Sequence, residues 1–183
     1  MLRAADIPNA ICILRILLVA PTVLALLGGR YPLALTLVCI AGFSDALDGY
    51  LAKRFDWRSR LGGLLDPLAD KLLLVSLFVA LAWLGHIPAW LAGVVIGRDA
   101  VIVTGGLSFN FLVGPVQPEP SRASKLNTLA QLVCIATVLA GQLTAWPLAG
   151  AVTATGAFVL VTSVVSGLDY VIRWSTRALA ART

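Results

Sequence analysis

The sequence predicts an all-α integral membrane protein. A single domain, residues 1–183, is expected to form a six-transmembrane-helix bundle with a polar cavity facing the cytoplasm. Three observations lead there. The chain is 59% hydrophobic and 13% charged, with mean hydropathy +0.92, far too apolar for an ordinary soluble domain of its size. Apolar runs recur at about one membrane thickness, roughly 20 residues each. The basic residues between those runs fall almost entirely on one side.

Taken in order, the spans are expected at 8–29, 33–53, 62–84, 88–113, 124–142 and 147–172. Turn-forming residues mark the breaks: "LGGRYP" after the first, "LGHIP" after the third, "GPVQPEPS" after the fourth and "TAWP" after the fifth. Such short connections make successive helices antiparallel neighbours. Arg3 followed by apolar residues resembles the start of a signal peptide. Asp6 and Arg15 interrupt it, however, no small-x-small cleavage site follows and further spans come after, so a first membrane span is expected instead.

With the N-terminus inside, ten cations face the cytoplasm: Arg3, Lys53, Arg54, Arg58, Arg60, Arg122, Lys125, Arg173, Arg177 and Arg182. Only Arg30 faces outward, while Arg15, Lys71 and Arg98 lie within spans or at their ends. The net charge of +5 thus describes a basic inner face suited to anionic headgroups. No aromatic–basic platform outside the membrane suggests nucleic acid. Cys12, Cys39 and Cys134 lie in expected spans without metal-ligand spacing and are expected to be small packing residues.

The concentration of acid is what composition does not explain. Of nine acidic residues, Asp45, Asp48, Asp66 and Asp70 bracket the junction of the second and third spans. Counted from the helix ends at about 1.5 Å per residue, Asp48 lies roughly 9 Å and Asp45 roughly 13 Å up the second helix. Asp66 and Asp70 lie roughly 8 Å and 13 Å up the third by the same rise. The i, i+3 and i, i+4 spacings put each pair on one helical face, so the four can form a carboxylate cup below the cytoplasmic surface. Unpaired, they would repel one another. An all-oxygen set favours a hard cation, Mg²⁺ or Mn²⁺, of the kind that acts on phosphates. The alternative is that Lys53, Arg54, Arg58, Arg60 and Lys71 neutralise them. That reading requires no particular spacing and leaves Gly49, Gly62 and Gly63 unexplained, whereas glycines beside a cup let a ligand approach the backbone.

The stretch resembles the signature of the CDP-alcohol phosphotransferase (CDP-alcohol phosphatidyltransferase) family, D-x2-D-G-x2-A-R-x8-G-x3-D-x3-D. Asp45, Asp48, Gly49, Ala52, Gly62, Asp66 and Asp70 match seven of the eight fixed positions at the right spacing, and Lys53 replaces the arginine. Lysine keeps the charge but loses the planar fork, and Arg54 follows immediately. The resemblance covers nearly the whole chain, because six spans with this motif between the second and third is the family's architecture. It implies that Asp45, Asp48, Asp66 and Asp70 hold metal, two Mg²⁺ or Mn²⁺ ions in that family's manner, with Asp70 also the base. It also implies that Asn9, Asp48, Gly49, Ala52, Lys53 and Gly62 cradle the CDP of a CDP-diacylglycerol, and that the protein is a homodimer. A bacterial inner (cell) membrane is expected, and the distribution of the cations puts both termini and the active site on its cytoplasmic side.

The implied reaction needs no serine, cysteine or histidine nucleophile. His86, the sole histidine, falls on the opposite membrane face, and the His-x-Lys pairs of a phospholipase-D-like synthase are absent. Two further polar groups enter the membrane, "GRD" with Arg98 and "SRASKLNT" with Arg122, Lys125 and Asn127. Packing or snorkelling would explain them structurally, but intramembrane charge is usually functional. Phosphatidylglycerophosphate synthases of the family carry a second arginine after the first motif and a second lysine after the other. Here both are missing, and the region is similar to the cardiolipin synthases of the family. Arg98, Arg122, Lys125 and Asn127 are therefore expected to bind phosphatidylglycerol, reached through an apolar lateral opening beside the cup. Glycerol 3-phosphate is the alternative acceptor. A cation transporter would place acids near the midplane and carry internal repeats, neither of which the sequence has.

Overall fold

The computed structural model describes residues 7–55, 62–112, 121–144 and 148–180; side chains at 7–9, 46, 48–53, 62–68, 106–112 and 177–180 are outside that description. These residues form six helices: α1 (Ile7–Leu27), α2 (Tyr31–Arg54), α3 (Gly62–Trp83), α4 (Ala89–Leu112), α5 (Arg122–Leu143) and α6 (Ala149–Ala180). The protein is all-α. Three helices contain stretches long and apolar enough to cross a membrane, Ala10–Leu27, Arg122–Leu143 and Ala149–Thr176. Among the described residues of α2, the apolar stretch is Tyr31–Asp45, ending on the first acid of the motif. α6 continues eight residues beyond the expected span end, because a helix does not stop where charge begins.

Two turns at one end of the bundle are built alike. After α1, the Arg30 amide donates to the Ala25 carbonyl (2.8 Å) and the Gly29 amide to Leu26 (3.1 Å). After α3, the His86 amide donates to Leu81 (2.9 Å) and the Gly85 amide to Ala82 (3.1 Å). Both are Schellman caps, which place one residue in the left-handed region. Gly29 has φ +68° and Gly85 φ +73°, so both turns require the glycine that "LGG" and "LGH" supply. Tyr31 and His86 join the turns, the phenol oxygen lying 3.0 Å from Nε2. His86 therefore lies at the end opposite the acidic motif, where the sequence expects it.

α1 packs on α2 and α3, α3 on α4 and α5, α4 on α6, α5 on α2 and α6. The apolar core gathers in the half near the glycine turns, around Leu26, Leu77, Phe78, Leu91, Ile135 and Val159. Outward, the bundle shows large apolar side chains such as Leu24, Phe43 and Trp83, the last 83% exposed. An apolar exterior on this scale suits hydrocarbon, not water. Cys12 and Cys134 are buried packing residues as expected, whereas Cys39 is exposed on α2. The other half of the bundle holds the charge.

Candidate functional site

Among the described residues Arg15 is the largest fully buried side chain, at 1% exposure, in a stretch of α1 that is otherwise apolar. Its Nη1 donates to Asp45 Oδ1 at 2.7 Å and to Asp70 Oδ1 at 2.6 Å. One nitrogen thus ties α1, α2 and α3 together. Helix arithmetic put Asp45 and Asp70 at equal depth, and both reach the same atom. The carboxylates are not buried with their partner: their side chains are 46% and 37% exposed. The arginine is buried where the carboxylates are partly exposed.

Asp48 and Asp66 occupy α2 and α3, but their side chains lie outside the described residues, as do those of Asn9, Gly49, Ala52, Lys53 and Gly62. Among the described residues no three His, Cys, Asp or Glu side chains gather into a metal-holding group. The described part of the set is an anionic, all-oxygen, half-exposed pair already seated on a cationic nitrogen. That donor chemistry fits a hard divalent cation.

A second cluster begins one residue further along α3. Lys71 Nζ donates to Asp99 Oδ1 at 3.0 Å, and Arg98 Nη1 donates to the same oxygen at 2.5 Å. Arg98 Nη2 also donates to Ser124 Oγ on α5 (2.7 Å) and Ser166 Oγ on α6 (2.6 Å). Arg98 therefore joins α4, α5 and α6, with side-chain exposure of only 6%. Its Nε is buried without a hydrogen-bond partner among the described residues. Removing one member of such a buried pair typically costs about 3–5 kcal/mol.

The remaining acceptor residues lie on the first two turns of α5. Ser121 caps this helix, accepting the Ser124 amide at 3.1 Å. Arg122 and Lys125 are exposed. Asn127 is fully buried, its Oδ1 accepting from Thr162 and Ser163 of α6, both at 2.9 Å. Its Nδ2 and Gln131 Nε2, one turn on, are buried without partners among the described residues. The structure thus brings Arg98 onto the segment carrying Arg122, Lys125 and Asn127, but turns the first two outward and the last into the α5–α6 seam.

Sequence reasoning singled out the Arg98–Asp99 pair of "GRD" but missed Arg15, Lys71, Ser124 and Ser166 as members of these clusters. Lys71 was a candidate partner for the motif aspartates, and it pairs with Asp99 instead. A lone arginine in an apolar run is itself the signal that could have found Arg15, since such a charge must meet its opposite inside the bundle.

Beside the first cluster runs an apolar cavity of about 600 Å³ between α1 and α3, lined by Ile16, Val19, Val23, Leu72, Val79 and Trp83 among others. Its lining begins at Ile16 and Leu72, one and two residues along from Arg15 and Asp70, and ends at Leu27 and Trp83 near the glycine turns. Another cavity, about 620 Å³, lies at the far end around His86, Pro88 and Gln142, remote from the aspartates.

Comparison with known proteins agrees with the motif. A probable cardiolipin synthase (CMP-forming) of Drosophila melanogaster is 34% identical over 145 residues, 70% of this chain and 45% of that protein. The human cardiolipin synthase (CMP-forming) is 33% identical over 150 residues, 73% of this chain and 50% of its own length. A probable phosphatidylglycerophosphate synthase of Mycobacterium tuberculosis is 32% identical over 182 residues, 93% of this chain and 82% of that one. The chain thus spans about half the length of the cardiolipin synthases it matches. The sequence model for CDP-alcohol phosphatidyltransferase matches residues 5–175, taking in both charged clusters and nearly all of the six helices. On that match the chain belongs to the CDP-alcohol phosphatidyltransferase family.

Proposed function

We propose that this protein is a cardiolipin synthase: it transfers the phosphatidyl group of CDP-diacylglycerol to phosphatidylglycerol and releases CMP. The carrying observation is the charge of the second cluster. Arg98 and Lys71 against Asp99 leave one net positive charge within the helix packing, with one buried Arg98 N–H to spare, while Arg122 and Lys125 are exposed and screened by solvent. That suits the single negative charge of a phosphodiester better than the double charge of a free phosphomonoester. Similarity to proteins named cardiolipin synthase adds support.

In this reading all six helices cross the membrane, with the N-terminus, C-terminus and polar cavity cytoplasmic, in a bacterial inner membrane and as a homodimer. The donor diphosphate lies at the aspartates. Asp45, Asp48, Asp66 and Asp70 would hold one or two Mg²⁺ or Mn²⁺ ions, which when bound screen the diphosphate's charge and stabilise departing CMP. Asn9, Gly49, Ala52, Lys53 and Gly62 cradle the nucleotide, and Arg98, Arg122, Lys125 and Asn127 receive the acceptor. Asp70 takes the proton from the free glycerol hydroxyl of the acceptor. That oxygen bonds to the phosphorus nearer the lipid, and the bond from this phosphorus to the CMP oxygen breaks. The α1–α3 groove, running from Ile16 and Leu72 toward the glycine turns, gives a lipid tail an apolar path that leads away from the charges.

The second reading, phosphatidylglycerophosphate synthesis from glycerol 3-phosphate, is favoured by the Mycobacterium tuberculosis relative, which aligns over most of both chains. Turnover of the purified protein with CDP-diacylglycerol and each acceptor, with the lipid product identified by mass, separates the two. Cardiolipin as main product is expected. Faster turnover with glycerol 3-phosphate would establish the second reading instead.

A further inference from the structure

We infer that Arg15 is the positioning residue of the aspartate site: its buried guanidinium holds the partly exposed Asp45 and Asp70 together at the spacing a divalent cation requires. The inference rests on the proposed metal reading and concerns a residue outside the family motif. The geometry is asymmetric. Arg15 is 1% exposed, while the carboxylates it holds are 46% and 37% exposed. A single nitrogen 2.7 Å and 2.6 Å from the two Oδ1 atoms leaves those oxygens within about 5 Å of each other, since neither N–H···O⁻ contact is long for a charge-assisted bond.

The two aspartates come from different helices, so nothing in the backbone of either helix sets their separation. Without a shared partner, two like charges on facing helices would turn apart toward water. Arg15 supplies that partner, and its burial makes it rigid: a guanidinium locked within the α1–α3 packing has little freedom to follow a mobile carboxylate. An apolar side chain of similar length, such as methionine, would fill the same space in α1 without a charge. The arginine is explained by the acids it meets, not by the helix that carries it.

Groups that orient metal-binding side chains typically contribute about 10–100-fold to metal affinity. The test is direct Mn²⁺ binding to the detergent-purified full chain, followed through the paramagnetic resonance signal of free Mn²⁺, for wild type, Arg15→Lys and Arg15→Gln. Lysine keeps the charge and loses the fork. We expect Kd to weaken by about tenfold in Arg15→Lys and about a hundredfold in Arg15→Gln, the two ends of that range. The Mn²⁺ concentration needed for half-maximal turnover should rise in parallel, while kcat at saturating Mn²⁺ in Arg15→Lys falls far less. A purely structural arginine would lower thermal stability and leave Kd unchanged. An arginine that merely competes with the metal would give tighter binding in Arg15→Gln. Either result overturns the inference, and if Arg15→Gln does not fold, Arg15→Lys decides alone. Wild-type protein that binds no Mn²⁺ would instead overturn the metal reading on which the inference stands.

Discussion

Around Arg15 one buried cation serves two half-exposed carboxylates; around Asp99 one buried carboxylate serves two cations. The two clusters sit at the same level, joined by the adjacent residues Asp70 and Lys71 on α3. Because neighbouring residues point about 100° apart around a helix, Asp70 turns toward α1 and α2 while Lys71 turns toward α4. The described part of the first cluster carries one net negative charge and the second one net positive charge. A negative cluster with open carboxylates can hold cations, and through them a diphosphate. A positive cluster can take an anionic acceptor without metal. The pairing of opposite fields across a single helix is what a transfer between two anionic lipids requires, since each would otherwise repel the other.

The largest expected effect separates the clusters by metal. Chelation should abolish turnover, and Mn²⁺ or Mg²⁺ should restore it. Asp45→Asn, Asp48→Asn and Asp66→Asn should each lose both Mn²⁺ binding and turnover. None of these changes should alter the second cluster, so acceptor binding, measured with labelled phosphatidylglycerol, should persist. Full activity in EDTA would remove the functional contrast between the clusters.

Next in size is Asp70→Asn. A general base typically contributes at least about a hundredfold, so turnover should fall by that much while CDP-diacylglycerol still binds measurably. Loss of donor binding to the same extent would make Asp70 chiefly a ligand. A titration run beside the rate assay distinguishes the two.

How much of this contrast was legible beforehand follows from the periodicity of each part. The six helices were, because apolar runs of membrane length and glycine-marked turns are local signals: "LGGRYP" and "LGHIP" became the two Schellman caps. The alignment of Asp45 with Asp70 was, because two counts of helical rise from one connection give matching depths. Arg15 was not, since one charge in an apolar run has no spacing to say which helix it meets. Nor was the pairing of Lys71 with Asp99, which depends on how α3 is rotated against α4. Ser124, Ser166, Thr162 and Ser163 are ordinary small polar residues of apolar helices, and only packing reveals that they bind Arg98 and Asn127.

Arg98→Gln should have a smaller, one-sided effect. A hydrogen bond to a charged group contributes about 1.5–3 kcal/mol, so acceptor use should weaken by roughly ten- to a hundredfold. CDP-diacylglycerol binding should change little, because no described contact joins Arg98 to the Arg15 cluster. The substitution also withdraws one of the two cations on Asp99, and with it a link among α4, α5 and α6, so a lowered melting temperature is expected alongside. Equal loss of donor and acceptor binding would mean that the two clusters act as one.

The smallest expected effect is also the one that discriminates between acceptors. Lys71 is 31% exposed where Arg98 is 6% exposed, so solvent screens it more and its pair with Asp99 contributes less, about 0–1 kcal/mol for comparable exposed pairs. Lys71→Met removes the cluster's excess positive charge without disturbing the bonds from Arg98 to Ser124 and Ser166. The loss felt by an acceptor scales with the acceptor's own charge. A phosphodiester carrying one charge should lose only a few-fold in kcat/KM, within that range of 0–1 kcal/mol. Glycerol 3-phosphate, with nearly two charges, should lose about twice as much in free energy, which squares the fold-change. The measurement is kcat/KM for both acceptors in wild type and Lys71→Met. A larger loss for phosphatidylglycerol than for glycerol 3-phosphate would show that Lys71 does not face the acceptor's phosphate, and that the second cluster's charge is spent on Asp99 alone.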